Sequence, residues 1–151
     1  MILTTTIYLR KEGYTLMLHR TKKKNDINEG KWIGVGGKLE KGESPFKCAI
    51  RETFEETGYH IIDARFVGMV TFPGLHNGED ELMFIYESHH FEGELHGNDE
   101  GELKWVKDEE LYDLPSWPAD YHYLDWLKDN QFHQAKVIYD DDGTLVSYSE
   151  E

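Results

Sequence analysis

Along most of this chain apolar and polar positions alternate with the period of a strand, and in one stretch the period becomes helical. Ile2 to Arg10 is rich in Thr, Ile and Tyr, a strand composition; Glu12-Gly13 marks a turn and Tyr14 to His19 a second strand, so the two form a hairpin. Residues 20–31 are polar and read as a loop. Trp32 to Leu39 carries Gly34, Gly36 and Gly37, which weaken a strand but let backbone approach a ligand closely. Ser44 followed by Pro45 is a helix start. Phe46, Ala49, Ile50, Thr53, Phe54 and Thr57 then recur with helical spacing and form the predicted inward stripe, with Gly58 as the C-terminal cap. Strand-like stretches return near 60–73, 81–91 and 102–107, and a helix is predicted near 117–129 with Tyr121, Leu124 and Leu127 on one side. Lys136 to Tyr139 and Thr144 to Tyr148, split by Asp-Asp-Gly, read as a closing hairpin.

Composition narrows the function classes. At 151 residues the chain reads as one domain, and its aromatic content argues against disorder. A net charge of −14, with Lys22-Lys23-Lys24 as the concentrated basic run, excludes long nucleic acid as an expected partner. The single cysteine, Cys48, rules out an internal disulfide framework and fits a reducing compartment. No apolar run is long enough to span a bilayer, and the first residues lack the pattern of a secretory leader, so no membrane partner and a cytoplasmic location are expected. A monomer and a homodimer are equally compatible with these features.

The predicted helix carries the chemistry. Glu52, Glu55 and Glu56 stand at i, i+3 and i+4, neighbours on one face, beside rather than within the inward stripe. Like charges so close repel, and a hard divalent cation with oxygen ligands is the natural partner. Carboxylates holding magnesium position and neutralise phosphates, and a metal-bound or carboxylate-activated water can attack in line.

The stretch from Gly37 to Tyr59 resembles the Nudix box, G-x5-E-x7-R-E-U-x-E-E-x-G-U with U apolar, at Gly37, Glu43, Arg51, Glu52, Glu55, Glu56 and Gly58. Thr53 and Tyr59 depart from the two apolar positions. The resemblance implies an α/β/α sandwich around a mixed β-sheet and hydrolysis of nucleoside diphosphates linked to another group. It implies Mg2+, with Mn2+ as a substitute, held by Glu52, Glu55, Glu56 and the Gly36 carbonyl, and Arg51 orienting a glutamate such as Glu43. Glu100, in the acidic loop 98–102, is the added candidate for reaching the metals or the attacking water, although its run also reads as surface charge.

Nearly the whole chain is similar to the MutT-type branch, whose members remove oxidised purine nucleoside triphosphates such as 8-oxo-dGTP. The runs GKWIGVGGKLEKGE, WVKDEEL and SWPADYHYLDWL carry that likeness. It implies a small nucleotide substrate, with Trp117 against the purine and Asp120 on its polar edge; Gly37 and Lys38, inside the box, are candidate phosphate contacts, and Lys23, in the basic run 22–24, reads either as part of a positive rim that steers the phosphate tail or as an ordinary solvated loop residue. Two positions depart from the branch. Ala119 stands where an aspartate is expected, and Ile33 where an asparagine is expected, so the choice of base is less defined than the phosphate chemistry. Competing readings are a Nudix hydrolase of a dinucleoside polyphosphate or nucleotide sugar, a non-catalytic nucleotide-sensing module, and an acidic interaction domain.

Overall fold

Glu12 and Gly13 both have positive φ, and so do Asn77 and Gly78, the backbone of a two-residue hairpin turn whose twist matches its strands. The first pair joins β1 (Ile2–Lys11) to β2 (Tyr14–Arg20), and the second joins β5 (Tyr59–His76) to β6 (Glu79–Gly93). The computed structural model describes residues 1–21 and 27–151, so Lys22, Lys23 and Lys24, and with them the predicted Lys23 contact, lie outside the described residues. Between the hairpins come β3 (Trp32–Ile33), β4 (Val35–Lys38) and α1 (Pro45–Thr57); after them come β7 (Gly101–Lys107), α2 (Asp120–Trp126), β8 (His133–Tyr139) and β9 (Leu145–Glu150). A 3-10 helix that the apolar pattern did not signal spans Asp108–Asp113.

Among the described residues the strands form one mixed sheet in the order β3-β2-β1-β6-β5-β8-β9, with β4 on β1 and β7 on β2. β1 runs parallel to β6 and β5 parallel to β8, while the remaining pairs are antiparallel. Successive side chains of a strand point to opposite faces, so Ile7 and Leu9 pack with Ala49 and Ile50 of α1 while Tyr8 packs with Tyr123, Leu124 and Trp126 of α2. Helices thus cover both faces, the α/β/α arrangement expected.

The α1 boundaries match the sequence signals: Ser44 Oγ accepts from the Lys47 N–H, and Gly58 is left-handed with its N–H on the Phe54 carbonyl. Its buried face does not match them. Phe46 and Phe54 are 37% and 45% exposed, against the rings of Tyr86 and His60, while Cys48 and Glu56 are buried with Ala49, Thr53 and Thr57. The helix is rotated so that Glu56 reaches the β4 backbone, and the two phenylalanines move to the rim. The second helix is shorter than predicted: Trp117 to Ala119 form a turn, and α2 begins at Asp120.

Candidate active site

β4 supplies backbone to the carboxylates of α1. The Gly36 N–H donates to Glu56 Oε2 at 2.7 Å. A Cβ on Gly36 would lie 2.0 Å from the Thr5 carbonyl oxygen, and one on Gly37 would lie 2.5 Å from Glu52 Cδ. Only glycine lets β4 sit this close both to β1 and to the Glu52 carboxylate.

Arg51 is saturated. Its Nε and Nη2 form a fork to the two oxygens of Glu43 at 2.8 and 2.9 Å, Nη2 also reaches the Lys38 carbonyl at 3.1 Å, and Nη1 donates to Glu52 at 2.8 Å and Glu55 at 3.2 Å. All five guanidinium N–H groups are used, a pattern that lysine cannot reproduce. The Arg51–Glu43 pairing expected from the sequence is present, and hydrogen bonds from Arg51 hold Glu43 down to a pKa of about 2.

Glu56 is 8% exposed. Burial first, then its hydrogen bond to Glu100, push its carboxyl well above the usual carboxylate range. Burial also raises Glu52, with Glu55 and Glu100 adding to the shift and Arg51 opposing it. Glu100 therefore belongs with the carboxylates and not to open surface. The residue that puts it there, Asn98, carried no role in the sequence reading. Its Nδ2 donates to the Glu56 carbonyl at 3.1 Å, and its Oδ1 accepts from the N–H groups of Glu100 and Gly101 at 2.9 and 3.1 Å. The available signal was an Asn two residues before Glu100 and three before Gly101, the spacing of an Asx turn. Arg20 approaches Glu100 at 3.5 Å.

The buried Glu56 carboxyl beside Glu100 favours either a proton or a nearby cation. The donors are all oxygens, the set a hard divalent ion takes, and in this respect the residues fit magnesium or manganese. Among the described residues no three acidic or imidazole groups converge at coordinating geometry. Glu52 and Glu55 are instead turned onto Arg51.

A cleft of about 720 Å³ starts at Gly36, Gly37, Lys38, Glu52 and Glu100 and runs over the α2 face of the sheet to Trp117, Asp120, Tyr123 and Tyr139. Lys38 is exposed at the end of β4. Trp117 donates its indole N–H to Asn28 at 2.6 Å, and Lys31 Nζ lies 4.4 Å over its ring. Burial pushes the Asp120 carboxyl up to about 7, with Lys31 opposing. Burial first, and the Asp120 charge after it, raise the phenols of Tyr8, Tyr123 and Tyr139, which line the same cleft. Tyr123 is 1% exposed, and its hydroxyl has no hydrogen-bond partner among the described residues. Ile33 lines the cleft without a polar group, and Ala119 is buried with its N–H on the Tyr139 hydroxyl.

Comparison with known proteins gives the same picture. Residues 2–127 match the NUDIX domain model. The chain is 31% identical over 149 residues to the uncharacterized Nudix hydrolase YvcI of Bacillus subtilis, covering 95% of this chain and 90% of that protein. It is 29% identical over 129 residues to the oxidized purine nucleoside triphosphate hydrolase of Mus musculus, covering 84% of this chain and 81% of that one. The MutT protein from Bacillus halodurans superposes with a TM-score of 0.88 at 25% identity, over 100% of this chain and 98% of the other. With Gly37, Arg51 and Glu52 of the box lining this cleft, the chain belongs to the Nudix family of hydrolases.

Proposed function

We propose that residues 1–151 act as one Nudix domain that uses Mg2+, or Mn2+ in its place, to hydrolyse oxidised purine nucleoside triphosphates such as 8-oxo-dGTP to nucleoside monophosphate and pyrophosphate. The observation that carries the reading is the continuity of one cleft from the glutamates to Asp120, with room for a phosphate chain at one end and a base at the other. The mouse relative, named for oxidised purine nucleoside triphosphates, supports the substrate class. The buried, unbridged Cys48 suits the cytoplasm, and among the described residues no helix is long and apolar enough to cross a membrane.

Glu52, Glu55, Glu56 and Glu100, with backbone oxygen at Gly36, would hold the ion. When bound it neutralises the phosphates and lowers the pKa of a ligated water. The chain's own residues do the rest. Arg51 lets go of Glu52 and Glu55 while keeping Glu43, so the carboxylates can turn inward without α1 shifting. Asn98 keeps Glu100 against Glu56. A carboxylate of this group takes the proton as water oxygen bonds to phosphorus and the bridging P–O bond breaks, its electron pair leaving with pyrophosphate. Lys38 steadies the phosphate tail, while Trp117 and Asp120 contact the base.

The test is turnover of 8-oxo-dGTP against dGTP with magnesium, with products identified by chromatography. A kcat/KM ratio of about 10 or more in favour of 8-oxo-dGTP is expected, since polar contacts to one base edge discriminate at that level. Equal ratios, or turnover of dinucleoside polyphosphates or nucleotide sugars alone, would move the assignment elsewhere in the family.

A further inference from the structure

The same cleft has a second polar wall to which the chemistry above gives no task. Thr4 on β1, Glu81 on β6 and His76 at the end of β5 line it beside Phe72, Leu75 and Met83. Thr4 Oγ1 donates to Glu81 Oε2 at 2.7 Å, and His76 Nε2 lies 2.6 Å from Glu81 Oε1, where a ring N–H donates to it. Glu81 is 9% exposed, so a nearly buried carboxylate is oriented at both oxygens while each oxygen keeps a further lone pair. Folding alone gives little reason for it: an apolar trio at these sheet positions would pack without the cost of taking a charge out of water.

Lys31 lies over Trp117 and acts on Asp120, but among the described residues no lysine or arginine pairs with Glu81. Arg20 is at Glu100, and Arg51 is spent on Glu43, Glu52 and Glu55. The base end therefore offers the Glu81 carboxylate, together with the Asp120 carboxyl and the Tyr123 hydroxyl, which has no hydrogen-bond partner among the described residues. Acceptors of this kind suit a base with N–H groups on its edges. Guanine presents N1–H beside its N2 amino group, and 8-oxoguanine adds N7–H. Adenine presents one amino group beside an N1 acceptor, which repels a carboxylate.

We propose that Glu81, oriented by Thr4 and His76, is a specificity-determining residue that accepts hydrogen bonds from the donor edge of a guanine-type base. This deepens the nucleotide reading above and rests on it. It also accounts for how the pocket discriminates although Ile33 and Ala119 replace polar residues.

The experiment is calorimetric binding of 8-oxo-dGMP, dGMP and dAMP to the wild-type protein and to Glu81→Gln, which needs no turnover. The wild type binds both guanine-type nucleotides more tightly than dAMP. Glu81→Gln weakens these two by roughly 10- to 100-fold, the value of hydrogen bonds to a charged acceptor. It leaves dAMP unchanged or tighter, because the amide presents a donor and an acceptor to adenine. Equal weakening of all three, no change in any, or a wild type without preference overturns the assignment. If Glu81→Gln does not fold, Thr4→Val decides: removing one orienting hydroxyl must narrow the guanine-to-adenine ratio, and an unaltered ratio overturns the proposal. Failure of the wild type to hydrolyse triphosphates would refute the proposed function separately, since the binding ratio is read without catalysis.

Discussion

Asp120→Asn should make the protein more stable at alkaline pH and change nothing in mild acid. The Asp120 carboxyl titrates at about 7 in the folded protein against an ordinary value of 3.8. Between those limits the native state holds a proton that the unfolded chain has released, so stability falls as pH rises from about 4 to about 7 and is level beyond. The shift of roughly three units corresponds to about 4 kcal/mol as an upper bound, and to about 2–4 kcal/mol once the opening of the cleft to water is allowed for. Asparagine mimics the protonated acid and does not titrate. Thermal unfolding of both proteins at pH 4, 5.5, 7 and 8.5 should give curves that coincide at pH 4, separate up to about pH 7 and keep a constant gap above it. By pH 8.5 the Tm of the variant should stand roughly 4–16 °C higher, at about 2–4 °C per kcal/mol for a chain of this size. Glu43 does not confuse the comparison: its low pKa of about 2 makes stability fall only as pH drops below about 4.5, and equally in both proteins. A variant less stable than wild type at pH 8.5, or a difference independent of pH, would show that Asp120 is not held neutral by its surroundings.

Glu56→Gln should abolish most turnover while the protein stays folded, and 10 mM Mg2+ should raise the Tm of the wild type alone, by about 3–6 °C if the ion binds near 1 mM; a variant with near-normal kcat would remove Glu56 from the metal site. Asn98→Ala deletes hydrogen bonds to Glu56, Glu100 and Gly101. A stability loss of about 2–4 kcal/mol and a roughly 10- to 100-fold lower kcat are expected as Glu100 moves off Glu56, checked by urea unfolding and steady-state kinetics. Gly37→Ala should lower kcat far more than Tm, because the added methyl collides with the Glu52 carboxylate rather than with backbone; wild-type activity in this variant would mean that Glu52 need not sit where it does.

What was legible in the sequence was local. Turn chemistry at Glu12-Gly13, the cap residues Ser44 and Gly58, and the alternation of the closing hairpin each act within a few residues, and each is where the pattern put it. The misses are non-local. Phe46 and Phe54 look like core by period, but the helix face is chosen by the reach of Glu56 to Gly36, twenty residues away in sequence. Thr4 meets Glu81 only because β1 lies parallel to β6, which brings together residues 77 positions apart, while His76 reaches Glu81 across the β5–β6 turn. Asn98 was hidden for another reason: a loop asparagine signals a turn, and nothing near it says that its amide will tie that turn to the last turn of α1.

The arrangement of charges explains why the site is built around Arg51. Five carboxylates (Glu43, Glu52, Glu55, Glu56 and Glu100) crowd the start of the cleft, and folding must hold them there before any ligand arrives. Arg51 meets three of them at once, and its fork to Glu43 ties α1 to the chain that leads from β4. Arg51 does not reach Glu56 or Glu100, and burial first, then the neighbouring Glu100, favour the protonated form of Glu56. A divalent cation bound here would supply positive charge beside Glu56 and Glu100 and would compete with Arg51 for Glu52 and Glu55. The fork to Glu43 can persist through that exchange, because it uses Nε and Nη2 while the exchanging carboxylates use Nη1. One guanidinium therefore separates two tasks, with one edge tied to Glu43 and the other to Glu52 and Glu55, the carboxylates proposed to hold the ion.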